Sequence, residues 1–213
     1  MKLEMENENS EMKQNEGKIA ILLDLDSALI SSIEQPTIDD TKQVYVDTLR
    51  KRLKNFNMDD EFVVFIRPGV DDFLDFIGSR FHVGVWTAAS KSYGLPIIKH
   101  LFRKRRIDSF FHVYHCDFAK DHYDSDPNLK PLQYAKNILG FKNVILVDDL
   151  EENCKQESAI KIKAFDVDVS DETLLQNKTV DEINSLADKF SLDSELTKIK
   201  KQIEDECTKF NFN

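Results

Sequence analysis

KIAILLDL (18–25) and NVILVDD (143–149) decide the fold. Each is a nearly continuous apolar run, the pattern of a strand covered on both faces. Each also ends in acid: Asp24 and Asp26 close the first, Asp148 and Asp149 the second. Outward from these, EFVVFIRP (61–68), FHVGVWT (81–87), FFHVYHC (110–116) and AIKIKAFD (159–166) read as further strands. Between them Val70, Phe73, Leu74 and Ile77 recur at helical spacing, with Pro68 near the helix start. Ile97, Ile98, Leu101 and Phe102 do the same, as do Leu132, Ala135, Ile138 and Leu139 before Gly140. Strands alternating with helices predict an α/β fold: a Rossmann-like parallel sheet with helices on both faces.

In an open parallel sheet, ligands sit outside the carboxyl ends of the strands. Asp24 and Asp26 are two apart, so strand alternation points both carboxylates the same way. Crowded carboxylates repel unless a cation lies between them or one takes up a proton. Taken alone, either acidic pair is equally compatible with a strand-end turn that binds nothing. Together, two buried-type strands that each deliver an acidic pair point to a hard-cation site, and Mg²⁺ suits carboxylate oxygens. Thr87 ends a third strand before Ala88, Ala89 and Ser90, where a hydroxyl close to a helix N-terminus suits phosphate. Lys130, just before a helix start, brings positive charge to the same end of the sheet.

ILLDLDSAL, VGVWTAAS, and LKP followed by NVILVDD resemble the four signature motifs of the haloacid dehalogenase (HAD) superfamily of phosphohydrolases. Within it, FIRPGVDDFLDFI and VGVWTAASKSYGLPII resemble segments of the RNA polymerase II carboxy-terminal-domain phosphatases and related small phosphatases. The likeness spans roughly residues 18–168. It implies a HAD-like fold and an Asp24 nucleophile that becomes an aspartyl-phosphate, with Asp26 alternating as general acid and base. It also implies Mg²⁺ held by Asp24, the Asp26 main-chain carbonyl and Asp149. Thr87 with Ala88, and Lys130, would hold the phosphoryl oxygens, and Asp148 would accept from Lys130 or orient the metal shell. Two positions depart from the family's usual pattern. Ala28 stands where the first motif ends in Thr or Val, and Asp149 stands where the polymerase-tail phosphatases often carry Asn.

In this superfamily, cap domains that close over small substrates are inserted after the first or second motif. Sixty residues separate Asp26 from Thr87, and a helix at 41–57, two strands and a helix at 70–79 use most of them. Forty-two separate Thr87 from Lys130, and after a helix at 91–105 and a strand only 117–129 is left. Neither interval has room for a large cap. A protein loop brings its own covering surface to an open site, which favours a phosphoprotein substrate carrying phosphoserine, phosphothreonine or phosphotyrosine. A small-molecule phosphomonoesterase and a non-catalytic binding module on the same fold are the alternatives.

The remaining features bound the function from outside. The 213 residues carry a net charge of −10, against direct nucleic-acid binding by the whole surface. Local basic clusters at Arg50–Lys51–Arg52–Lys54 and Arg103–Lys104–Arg105–Arg106 read either as solvated helix ends or as steering for an acidic partner. Three separated cysteines without a CxxC pair fit a reducing compartment, cytoplasm or nucleus. His112, His115 and His122 match no standard zinc spacing. There is no transmembrane run and no signal-peptide core, which leaves export by another route open. Residues 1–17 read as an acidic disordered tail, 18–190 as the phosphatase domain and 191–213 as a C-terminal amphipathic helix. Leu192, Leu196, Ile199, Ile203 and Phe210 form a seam on that helix. The seam either docks on its own domain or forms a homodimer.

Overall fold

The computed structural model describes residues 18–35, 40–102, 110–114, 129–169, 175 and 178–210. In chain order these form β1 (Ile19–Leu23), β2 (Ile30–Glu34), α1 (Asp40–Arg52), β3 (Asn55–Met58), β4 (Phe62–Ile66), α2 (Val70–Gly78) and β5 (His82–Trp86). Then follow α3 (Lys91–Phe102), β6 (Phe110–Tyr114), α4 (Leu132–Leu139), β7 (Asn143–Asp148), β8 (Ala159–Lys161), α5 (Val180–Ser191) and α6 (Glu195–Lys209). The acidic segment 1–17 lies outside the described residues.

Five strands make one parallel sheet in the order β6-β5-β1-β7-β8. Alternation along β1 feeds two cores. Ile19, Ile21 and Leu23 join the apolar faces of α2, α3 and α6 on one side. Ala20 and Leu22 pack with Leu132 and Ala135 of α4 on the other. Strand order departs from β1 in both directions, through β5 to β6 and through β7 to β8. The carboxyl end of β1 is therefore the topological switch point, where open α/β sheets bind ligands.

Phe62–Ile66 departs from the reading of 61–68 as a strand of the parallel sheet. It is the middle strand of a separate antiparallel sheet, β2-β4-β3. One side of that sheet, with Ile33, Val63 and Phe65, packs against Tyr45, Val46 and Leu49 of α1 and Ile183 and Ala187 of α5. Its other side sends Ile30 and Val64 into the main core. The expected helix over 41–57 stops at Arg52, because the Asn55 side-chain amide donates to the carbonyls of Arg50 and Leu53. Phe56 then enters β3 and stacks on His100, ring centroids 3.8 Å apart.

The C-terminal seam is used within the chain. Leu196, Ile199 and Ile203 are buried in the main core. Three such side chains contribute roughly 4–9 kcal/mol of gross transfer free energy. Leu192 ends α5 and is exposed. The homodimer reading is thereby left without its apolar face.

Arg67, in the segment FIRPG, joins this C-terminal unit to β1's outgoing turn. Its fully buried guanidinium pairs with Asp193 at 3.0 and 3.1 Å. It also donates to the carbonyls of Ala28 at 2.9 Å and Lys163 at 2.8 Å. The turn after Pro68 needs glycine at Gly69, whose φ of +83° most side chains resist.

Candidate active site

Three neighbouring strands, β5, β1 and β7, deliver their carboxyl ends side by side, and every motif residue but one lies there. Asp24 follows β1, and its main-chain N–H donates to Val147 O at 2.9 Å, tying it to β7. The chain then turns back through Ser27, whose φ of +58° is left-handed. Ser27 N donates to Ile30 O at 2.8 Å, and Phe165 N donates to Ser27 O at 2.7 Å. Ala28, the departure in the first motif, packs its methyl into the main core at 1% exposure. There it fills apolar space.

Lys130 is the exception, since it comes from a connecting segment. Its side chain is 1% exposed, and its Nζ lies 2.6 Å from Asp24 Oδ1 and 2.7 Å from Asp148 Oδ2. Burial works against its charge, but Asp24 and Asp148 more than offset this and raise its pKa. The ammonium thus stays charged. Asp148 is fully buried and spoken for: Oδ1 accepts from Leu150 N at 2.8 Å, and Oδ2 from Lys130 Nζ and, at 3.1 Å, Asn153 Nδ2. Asp149, next along, is half-buried.

Asp24, Asp148 and Asp149 each offer a carboxylate oxygen, and these atoms lie within 4.8 Å of one another. Burial, partly offset by Lys130 and reinforced by Asp148, pushes the Asp24 pKa up to about 7. Burial and the Asp148 charge also raise that of Asp149. Three carboxylates around a single ammonium leave excess negative charge that a divalent cation would neutralise, and hard oxygen donors suit Mg²⁺. The residues present fit that group.

Thr87 directly follows β5 at 2% exposure, and its Oγ1 accepts from Ala89 N at 3.2 Å, opening the turn into α3. Ala88 is half-buried in that turn.

Tyr93 is a site residue that sequence reasoning missed. From the first turn of α3 its hydroxyl donates to Asp26 Oδ1 at 2.6 Å, and it shares a 2.7 Å hydrogen bond with Ser32 Oγ. One Asp26 oxygen is thereby fixed. Burial raises the Asp26 pKa, and the Tyr93 hydrogen bond pulls it back. Tyr93→Phe is expected to lower kcat about tenfold with little change in KM, the equivalent of one hydrogen bond to a charged acceptor. A variant with wild-type kcat would show that Asp26 needs no such fixing.

The first basic cluster is largely committed to its own chain: Arg50 bonds Asn57, Arg52 bonds Asp188 and Asn184, and Lys54 pairs with Asp71. Residues 103–106, His115, Cys116 and His122 lie outside the described residues. Among the described residues no helix is long and apolar enough to cross a membrane.

Comparison with known proteins bears on this geometry. A family model described as NLI interacting factor-like phosphatase matches residues 19–191. The putative CTD phosphatase-like protein 355R of Invertebrate iridescent virus 3 is 34% identical over 163 residues, 71% of this chain and 87% of that protein. The protein of the same description from Invertebrate iridescent virus 6 is 33% identical over 153 residues, 66% of this chain and 80% of that one. Among solved structures, an arginine-to-alanine variant of fission yeast RNA polymerase II CTD phosphatase Fcp1, bound to beryllium fluoride, superposes with a TM-score of 0.61 at 20% identity. The match covers 95% of this chain and 65% of the yeast one, and it shows a shared fold.

Proposed function

We propose, from the premise that the chain belongs to the NLI interacting factor-like phosphatase family, that it removes phosphate from a phosphorylated protein through an aspartyl-phosphate on Asp24. The target side chain is phosphoserine, phosphothreonine or phosphotyrosine. The observation that carries this reading is the buried Lys130 ammonium, 2.6 Å from Asp24 and 2.7 Å from Asp148. It puts fixed positive charge beside a carboxylate nucleophile, where the charge of a transferring phosphoryl group is spread over its oxygens.

Asp24 attacks phosphorus as the bond to the leaving oxygen breaks, and Asp26 delivers its proton to that oxygen. Asp26 then takes a proton from water, whose oxygen attacks the aspartyl-phosphate, freeing Asp24 and inorganic phosphate. Thr87, the Ala88 turn and Lys130 hold the phosphoryl oxygens throughout. Asp24, Asp149 and the Asp26 carbonyl would hold Mg²⁺, which would supply further positive charge toward those oxygens.

A protein substrate is supported by what surrounds the site. Residues 30–66 between the first and second motifs are largely used in α1 and the antiparallel sheet, which pack on the protein's own core. Four residues beyond Thr87, an open groove of about 370 Å³ runs along α3, lined by Lys91, Ser92, Leu95, Pro96 and Lys99. Its two lysines flank an apolar floor, a surface suited to chain beyond the phosphorylated residue.

The test is kcat/KM with Mg²⁺ across phosphopeptides and phosphometabolites. The expected result is a preference for phosphopeptides on the order of 100-fold, about 2.7 kcal/mol of extra transition-state binding. Faster turnover of a metabolite replaces this reading with a small-molecule phosphomonoesterase. Turnover of neither leaves a binding module.

A further inference from the structure

We infer that Asn153 and Gln156, on the connection between β7 and β8, are positioning residues that hold Lys130 in place for phosphoryl binding. The inference rests on the role proposed above for Lys130. This lysine belongs to no helix or strand, and the next residue, Pro131, has no N–H. Two side-chain amides do the anchoring that the directly preceding strands do for Asp24, Thr87 and Asp149.

The Lys130 N–H donates to Asn153 Oδ1 at 3.0 Å, and the Lys130 carbonyl accepts from Gln156 Nε2 at 2.9 Å. Leu132 N, an orphan donor in the first turn of α4, is taken up by Gln156 Oε1 at 2.7 Å. Gln156 Nε2 also donates to the Asn153 main-chain carbonyl at 3.0 Å, tying the Gln156 side chain to the backbone that carries the other amide. Asn153 Nδ2 reaches Asp148 Oδ2, the oxygen that also receives the Lys130 ammonium. Asn153 is 1% exposed and Lys130 is 2% exposed.

These contacts leave each amide one orientation. Exchanging O and N on Asn153 would set its NH₂ against the Lys130 N–H and its oxygen against the Asp148 carboxylate. The lysine is consequently fixed at both ends, its peptide by the two amides and its ammonium by Asp148 and Asp24. A lysine side chain carries much rotamer freedom, and a misplacement of about 1 Å is costly where charge must meet a transferring group. Asn153 couples the two ends, because one side chain holds both the lysine's backbone and its charge partner.

The experiment measures binding of inorganic phosphate in saturating Mg²⁺ by calorimetry, beside Mg²⁺ binding alone and steady-state kinetics. The proteins are wild type, Asn153→Ala, Gln156→Met, Lys130→Ala and the Asn153→Ala/Lys130→Ala double variant. Each amide variant is expected to bind phosphate about five- to tenfold more weakly while binding Mg²⁺ as the wild type does. Its kcat should fall more than its KM rises. The double variant should be no worse than Lys130→Ala alone, since Asn153 acts through the lysine. Should Asn153→Ala fail to fold, the half-buried Gln156→Met, which keeps the side-chain volume, decides. Folded amide variants that bind phosphate like the wild type overturn the inference while leaving the proposed function standing. A wild type that binds no phosphate in Mg²⁺ overturns both.

Discussion

Asp24→Asn is expected to cut phosphate-ester hydrolysis by on the order of 10⁴-fold or more, the scale seen when a covalent nucleophile is removed. An amide does not attack phosphorus, and three of its neighbours are committed elsewhere. Lys130 is cationic, Asp148 has its oxygens engaged, and Asp26 is held by Tyr93. Asp26→Asn should behave differently. Attack by Asp24 survives there, but acid–base help worth about 10²- to 10⁴-fold is lost. The aspartyl-phosphate should then accumulate as a labile adduct detectable by intact mass. Wild-type turnover in Asp24→Asn would remove the nucleophile assignment.

The same substitution has a stability signature that needs no substrate. The Asp24 pKa is raised from 3.8 to about 7 in the folded protein, burial being the largest cause. A raised folded pKa means that the folded state binds this proton more tightly than the unfolded chain does. The resulting contribution is fully present below about pH 3.8 and is lost as pH rises through 7. Without divalent cations, wild type should therefore lose stability relative to Asp24→Asn between pH 4 and 7, by at most about 1.4 kcal/mol per pH unit. A flat difference would mean that Asp24 is ionised across the range.

What could be read in advance was set by how far apart the partners lie. β1 and β7 announced themselves because both of their faces are covered, leaving an unbroken apolar run that stops at the acids. β2 and β3 did not. ISSIE carries two serines, one of which, Ser31, is buried to accept from Val167 N, and NFNM alternates Asn with Phe56 and Met58 over only four residues. Neither run is long and apolar enough to stand out, and both strands are defined by pairing with β4. The overlong helix at 41–57 has the same origin: Phe56 continues the helical spacing, and only the Asn55 bonds end it. In the site, the Asp pairs, Thr87 and Lys130 stand at ends of elements that the sequence marks. Tyr93 is 67 residues from Asp26, Asn153 is 23 from Lys130, and Arg67 is 126 from Asp193. Local patterning contains no trace of such pairings. Asn153 and Gln156 look like ordinary polar loop residues until the chain closes around Lys130.

The largest ligand effect expected is from Mg²⁺, and Asp149 is the residue through which to read it. Asp148 has its oxygens engaged by Leu150, Lys130 and Asn153, so it orients the lysine and has little left for a cation. Asp149 lies within reach of Asp24 and has its own pKa raised by burial and by Asp148. Without a cation, burial and the Asp148 charge favour the protonated forms of both Asp24 and Asp149. A divalent cation would displace those protons and neutralise the carboxylates. The unfolded chain has no such site, so binding stabilises the folded state by RT ln(1 + [L]/Kd), about 1.4 kcal/mol at tenfold excess over Kd. For a chain of this size that raises Tm by about 3–5 °C. Asp149→Ala should abolish both the shift and the turnover. Asp60→Ala, an exposed carboxylate in the β3–β4 turn, should change neither. If Mg²⁺ stabilises Asp149→Ala as much as wild type, the cation binds elsewhere, and the raised pKa values at Asp24 and Asp149 are relieved by protons alone.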